Sequence, residues 1–340
     1  MTPEPTDYLW DRTGPPDPHV AALEQALAPL RHRGAPLRPL GPRRTRAGRV
    51  AAVLIPALTA AATLMLVAYA GWFALVTGEP GSWQIAATAG APRINDEAIE
   101  GQTRWRVGDR LQTDARSEAE VAVGLIGQVE VRPNSRLTMV RARTAEHRLA
   151  LEQGSIRATI WAPPGLFFVE TPSALAVDLG CAYTLDVAED GSGLLRVEHG
   201  WVGFEYRGRE AFIPAGAMCA TRPGLGPGTP YFEDAPRELI AALLALDFAG
   251  LQGGARAAAL DAAFAHARPR DAFSLWHLLT RLPHHERVGV YDRLEQLAPP
   301  PTSVTREGIL HGDRRMLDAW WDSLGLDTAT WWRIWRRRWR

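Results

Sequence analysis

From Val50 to Val76 the chain reads VAAVLIPALTAAATLMLVAYAGWFALV, 27 consecutive residues without a charge. At a rise of ~1.5 Å per residue, about 20 helical residues cross a ~30 Å hydrocarbon core, so this run spans with residues to spare. Pro56 falls near its start, where a missing amide costs least, and Tyr69 and Trp72 stand near its far end as interfacial anchors. A buried core helix rarely runs this long without a polar face, and residues 50–76 are therefore expected to be a transmembrane helix. Arg38, Arg43, Arg44, Arg46 and Arg49 precede the run, whereas Thr77, Gly78 and Glu79 follow it. Arginine is retained on the cytoplasmic side, which places residues 1–49 inside and everything after residue 77 outside. Ala68-Tyr69-Ala70 has the small-x-small form of a cleavage site, but about 49 residues come before the apolar run, far beyond a signal n-region. An uncleaved anchor follows.

The chain has no lysine, so its 38 basic residues are all arginine, balanced by 38 acids. Zero net charge excludes a general polyanion binder, and a nucleic-acid partner is not expected. Within residues 1–49, the stretch 17–33 reads as a short helix. Asp17 is a suitable N-cap, Pro18 fits the first helical position, Pro29 threatens an early end and Gly34 follows as a stop. Val20, Leu23, Leu27 and Leu30 share one face. An isolated helix of this length is marginal in water, so that face reads as a docking surface for a cytoplasmic partner or, failing that, as part of a membrane-proximal tail. Residues 34–48, rich in proline and arginine, form a linker suited to anionic headgroups.

From residue 83 to 230 the pattern alternates, with glycine and proline punctuation every eight to twelve residues. Glu120-Val121-Ala122-Val123, Gln128-Val129-Glu130-Val131 and Leu194-Leu195-Arg196-Val197 are examples, and turns are marked by Gly108-Asp109, Pro133-Asn134, Asp190-Gly191 and His199-Gly200. An all-β sandwich, barrel or solenoid is expected here.

Within that region the order of motifs resembles the FecR domain. Val107-Gly108-Asp109-Arg110-Leu111-Gln112-Thr113-Asp114 and Val131-Arg132-Pro133-Asn134-Ser135-Arg136-Leu137 match its first half. Leu151-Glu152-Gln153-Gly154-Ser155-Ile156, Thr171-Pro172, Gly180-Cys181-Ala182-Tyr183, Val197-Glu198-His199-Gly200-Trp201-Val202 and Pro214-Ala215-Gly216 match its second. The match spans residues 83–222. It implies a bacterial inner-membrane protein that crosses once, with a cytoplasmic N-terminus and a solenoid- or sandwich-like module in the periplasm. It also implies a regulator whose cytoplasmic segment binds a sigma factor, as an anti-sigma factor does, while a periplasmic or outer-membrane protein supplies the signal. The alternative is an anchored periplasmic interaction scaffold with no sigma-factor role. The cytoplasmic segment lacks a zinc-type anti-sigma motif, and Gly180-Cys181 stands where the family carries Gly-Thr.

Cys181 and Cys219 both fall in the matched region. An oxidising periplasm favours a disulfide between them, contributing about 3–4 kcal/mol through chain entropy. The other reading is two buried thiols among apolar strands.

Residues 235–340 read as a helical region. Pro236 opens it, Asp271 is expected to cap a segment with Phe273, Trp276, Leu279 and Leu282 on a buried stripe, and His284 to Leu297 forms a further helix before Pro299-Pro300-Pro301. The final ten residues carry Trp331, Trp332, Trp335 and Trp339 on one narrow helical arc with five arginines. That tail is suited to packing on the domain or to lying at a membrane interface.

No nucleophile, metal or phosphate signature has convincing context, so an enzyme is not expected, and neither is a cofactor. His284-His285 points two ways on a helix, and Asp109 and Asp114 fit turns. Gly224-Leu225-Gly226-Pro227-Gly228 reads as a hinge between the β and helical parts.

Overall fold

The computed structural model describes residues 17–30, 63–67, 69 and 81–326. The chain divides into two compact units, residues 1–69 and 70–340.

In the first unit Pro18–Leu27 forms helix α1, followed by a 3₁₀ turn at Ala28–Leu30. Asp17 holds extended backbone and its carboxylate accepts the His19 amide at 2.7 Å, while Pro18 takes the first helical position. The α-helix thus ends at Leu27, six residues before the end of the expected stretch 17–33, and tightens into the 3₁₀ turn because Pro29 has no amide to donate to an α-helical bond; residues 31–33 lie outside the described residues. Of the run 50–76 expected to span a membrane, only residues 63–67 and 69 are described. They are helical, and Leu64, Met65, Leu66, Val67 and Tyr69 are exposed. The remainder of that run lies outside the described residues, and among those described no helix is long and apolar enough to cross a membrane.

The second unit opens with two β-sheets that share one long strand, Glu146–Ile160. In one sheet the order is Gln102–Arg106, Ser82–Ala89, Glu118–Val123, Gly127–Val131, the shared strand, Ala182–Val187, Gly193–His199 and Ala217–Arg222. In the other it is Glu97–Ala98, Arg93–Ile94, Arg110–Gln112, Arg136–Arg143, the shared strand, Phe167–Glu170, Leu175–Asp178, Trp201–Tyr206 and Arg209–Pro214. All pairings are antiparallel except the shared strand with Phe167–Glu170. Strict alternation puts every second residue inside, as in Glu118–Val123, where Ala119, Val121 and Val123 are buried.

The shared strand changes sheets where that alternation breaks, over residues 152–155. Gly154 makes the bend. Its φ is +99°, and a Cβ there would meet the Ser135 Cα at 2.3 Å, so only glycine fits. Ser135 secures the corner, accepting the Ser155 amide at 2.9 Å through its Oγ. Across the layers, Trp83 of the first sheet packs on Phe167 of the second and donates its indole N–H to His147 Nδ1 at 3.2 Å. The β-region is thus a two-layered sandwich.

Among the described residues six α-helices follow: α2 (Arg237–Phe248), α3 (Gly253–His266), α4 (Ala272–Arg281), α5 (His284–Leu297), α6 (Arg306–His311) and α7 (Arg314–Ser323). The expected stripe Phe273, Trp276, Leu279 and Leu282 is buried, and so are Leu275 and Leu278, since α4 has neighbours on two sides. Phe273 lies 4.6 Å from the Phe232 ring at the sandwich edge, and Trp276 lies 4.6 Å from Trp321 of α7. Burying each such side chain contributes roughly 1.5–3 kcal/mol, and α4 buries several. One apolar core runs continuously from the sandwich into these helices.

Two expectations are corrected in this region. Asp271 makes no capping bond to α4; its fully buried carboxylate instead binds the amide and guanidinium of Arg268, bracing the 3₁₀ turn Pro269–Asp271. The segment 224–228 is no hinge. Gly226–Pro227 pairs with Thr221 and Arg222, and the Gly228 amide donates to Ala220 at 2.8 Å, so the glycines close a hairpin onto the sheet. The chain needs no flexible joint where the core is continuous.

Candidate functional site

Two places in the molecule combine unusual exposure or charge with defined geometry. The first is α1. At 100° per residue, Val20, Leu23 and Leu27 fall within an arc of about 60°, and Leu30 follows in the 3₁₀ turn. The helix buries none of its residues, and Leu23, Leu27 and Leu30 are 64%, 51% and 78% exposed. The cap fixes where the helix begins, but nothing among the described residues covers its apolar side. A capped, short helix with one uncovered apolar stripe is what a groove on a partner protein can accept.

The second lies where the sandwich meets α4. Thr229, just after the hairpin, donates its amide to Asp247 Oδ2 at 2.6 Å, tying the sheet to the end of α2. The same carboxylate pairs with Arg209 of the sheet and with Arg281 of α4, whose Nη1 is 3.6 Å away. Arg281 also donates to the Glu210 carbonyl at 2.8 Å and to the Thr229 hydroxyl at 3.2 Å. Burial lowers the Arg281 pKa to about 10, against the pull of Asp247, so the group stays charged at neutral pH. One turn earlier, His277 bonds the Phe273 carbonyl through Nδ1 and accepts the Phe212 amide at Nε2. That pattern requires a neutral ring protonated on Nδ1. Burial, reinforced by Arg281, lowers its pKa to about 3.

These groups edge an open cleft of about 440 Å³. Its apolar floor is Phe212, Trp276 and Leu317, and its walls carry Arg207, Arg209, Arg281, Arg287 and Arg314 against Glu210 and Asp318. The arginines come from a hairpin, α4, α5 and α7, so no local stretch of sequence announces the cluster.

A third polar group is enclosed in the sandwich. Asp178 is buried, its Oδ1 accepting the Gly180 amide and its Oδ2 the Cys181 thiol, both at 2.7 Å. Burial raises its pKa to about 7. The Tyr183 hydroxyl is buried without a hydrogen-bond partner, and its pKa is pushed well up by the same desolvation.

The disulfide expected between Cys181 and Cys219 is absent: both thiols are free and buried. Register gives the reason. Cys219 pairs with Leu195, which pairs with Leu185, so Cys219 stands two strands across from a residue four positions beyond Cys181. With strands about 4.8 Å apart and about 3.3 Å per residue, the two Cα atoms are about 16 Å apart. A disulfide needs them within about 7 Å. Each thiol donates elsewhere instead, Cys181 to Asp178 and Cys219 to the Gly228 carbonyl at 3.2 Å.

Asp109 and Asp114 sit in turns as expected, Asp109 accepting the Arg106 amide and Asp114 the Arg116 amide and the Ser117 hydroxyl. His284 stacks edge-on to His311, 5.6 Å between ring centres, and His285 points into solvent. Trp331, Trp332, Trp335 and Trp339 lie outside the described residues. Among the described residues, no group of three or more His, Cys, Asp or Glu side chains is arranged to hold a metal ion.

No family model matches the chain, and no curated protein matches it. Two crystal structures of a candidate anti-sigma factor from Parabacteroides distasonis are similar to it, each at 16% identity over 40% of this chain with a TM-score of 0.32. The match spans 64% and 63% of those chains, less than two thirds of their length. A likeness that slight carries no argument of its own.

Proposed function

We propose that the chain is a non-enzymatic transmembrane signalling regulator of FecR type, anchored in the bacterial inner membrane by residues 50–76. In this reading the sandwich and its helices face the periplasm, where a periplasmic or outer-membrane protein is sensed. Residues 1–49 face the cytoplasm and hold a sigma factor. The observation that carries the reading is the uncovered apolar side of α1 and its 3₁₀ turn, Val20, Leu23, Leu27 and Leu30, on a helix capped at Asp17. The ordered motifs along residues 83–222 and the arginine-flanked apolar run support it.

The test uses the full-length chain, tagged at its C-terminus and captured from detergent-solubilised membranes. The comparison is a Leu23→Asp/Leu27→Asp variant, which places two charges on the apolar stripe and leaves the membrane segment untouched. The wild type is expected to retain a sigma factor that the variant loses, with both chains equally inserted. Retention by both, or by neither, sinks the regulator reading.

One observation favours the scaffold alternative. Trp161 is 64% exposed beside Leu125 at 48%, the two joined by a 2.9 Å bond from the indole N–H to the Leu125 carbonyl. Exposed tryptophans are frequent anchors in protein interfaces. If no sigma factor is captured, that edge of the sandwich is where a periplasmic partner should be sought.

A further inference from the structure

We infer that the cleft between the sandwich and α4 is a binding site for a small organic anion, a phosphate or dicarboxylate carried on a flat apolar body. This site is independent of the sigma-factor reading, since none of its residues belongs to 1–49.

Charge is the first ground. Five guanidinium groups line the cleft against Glu210, Asp318 and the Asp247 carboxylate behind Arg209 and Arg281, so positive charge is in excess there although the whole chain is neutral. Arg207 and Arg314 make no ion pair among the described residues. Arg287 is held rigidly by backbone carbonyls, donating from Nε to Leu282 at 2.8 Å and from Nη1 to Leu310 at 3.1 Å. Guanidinium groups fixed in this way are suited to oxyanions, which they bind in a planar, two-pronged geometry.

The second ground is unmet hydrogen-bonding capacity. Nε of Arg209 and Nε of Arg281 are both buried with no partner. The Arg281 side chain is only 10% exposed, and its carboxylate partner Asp247 is shared with Arg209. Two guanidinium groups sharing one carboxylate leave positive charge uncompensated at the inner end of the cleft.

Backbone conformation is the third. Arg207 and Gly208 form a two-residue hairpin between Tyr206 and Arg209, with φ of +48° and +82°. Such turns favour asparagine at the first position and glycine at the second, because a longer side chain resists left-handed backbone. Gly208 obeys the rule and Arg207 breaks it. The guanidinium of Arg207, stacked 5.2 Å over the Tyr206 ring, is the gain set against that strain.

Shape selects the ligand class. A volume of about 440 Å³ is in the range of small-molecule sites, too small for a folded partner. The floor of Phe212, Trp276 and Leu317 accepts a flat apolar body, with the arginines left to take its oxyanion groups. His277 stays neutral and adds no charge.

The test is calorimetric titration of the full-length chain in neutral detergent at low ionic strength, with phenyl phosphate and, separately, isophthalate as probes. At least one is expected to bind, and the stronger arm separates phosphate from carboxylate preference. Arg207→Asn should weaken that binding at least tenfold, roughly the loss of one charge-assisted contact, while leaving the melting temperature equal or higher. Arg314→Gln should weaken it independently, and Arg141→Gln, in a strand that does not line the cleft, should not. The inference is overturned if neither probe binds, if Arg207→Asn binds like the wild type, or if Arg141→Gln weakens binding as much as Arg207→Asn.

Discussion

Asp178→Asn should change how the stability of the β-region responds to pH. In the folded chain the Asp178 carboxyl has a pKa of about 7 against an ordinary 3.8, and burial is the first cause. A folded-state pKa raised above the unfolded value means that the folded chain holds the proton more tightly. The stabilising contribution is therefore complete below pH 3.8 and declines as pH rises towards 7, above which it is lost. About three pH units at ~1.36 kcal/mol each give a total near 4 kcal/mol, of which roughly 2–3 kcal/mol falls between pH 5 and pH 8. Asparagine has nearly the same shape and keeps an oxygen for the Gly180 amide, but it does not titrate. His277 works in the opposite direction. Its pKa is lowered to about 3, so it withdraws stability as pH falls below 6.5. Because His277 is present in both chains, its effect cancels in the difference between them. Thermal unfolding of wild type and Asp178→Asn, followed by near-ultraviolet dichroism, should show the wild type losing about 5–10 °C more than the variant between pH 5 and pH 8, at about 2–4 °C per kcal/mol for a unit of this size. Melting temperatures that move in parallel would refute the assignment of a protonated Asp178 in the neutral range.

Two further outcomes follow from the buried polar groups. Asp247→Ala leaves Arg209 and Arg281 facing each other without their shared carboxylate and should cost about 3–5 kcal/mol in urea unfolding, whereas Glu198→Ala, which breaks the half-exposed pair with Arg157, should cost no more than about 1 kcal/mol; equal losses would show that the Asp247 cluster is solvated. In the unreduced chain, both Cys181 and Cys219 should alkylate fully once denatured and scarcely at all when native, since each is buried and burial pushes the Cys219 thiol up to about 12; mass spectrometry showing fewer than two modified thiols after denaturation would contradict free cysteines.

Alternation of apolar residues was enough to identify residues 83–230 as β and to place strands such as Glu118–Val123, Gly127–Val131 and Gly193–His199, because a strand half-buried in a sandwich must point every second side chain inward. Val121, Val123, Val129 and Val131 are all buried as that rule demands. The helix at His284–Leu297 and the apolar stripe of α4 were equally legible, since their spacing is local. So was α1, whose start is set by Asp17 and Pro18 within one turn. The cysteines show where local reading stops. Nothing in the spacing of Cys181 and Cys219 reveals that their strands are separated by another, and the pairing of Leu185, Leu195 and Cys219 decides against a bond. The segment 224–228 looked like a joint because glycine and proline permit one, yet its partners at Ala220 and Thr221 turn it into part of the sheet. Asp271 had the chemistry of a cap and found a nearer donor in Arg268.

The arginine cleft was invisible for the same reason. Arg207, Arg281, Arg287 and Arg314 span more than a hundred residues, and only the docking of α4 between sandwich and α7 brings their charges to one place. What the sequence determined alone were features whose cause lies within a few residues: strand alternation, the buried stripe of α4 and the Asp17 cap of α1. Tertiary structure decided what depends on distance between segments, because a thiol pair, a buried carboxylate and a charged cleft are each defined by neighbours that the order of residues does not supply.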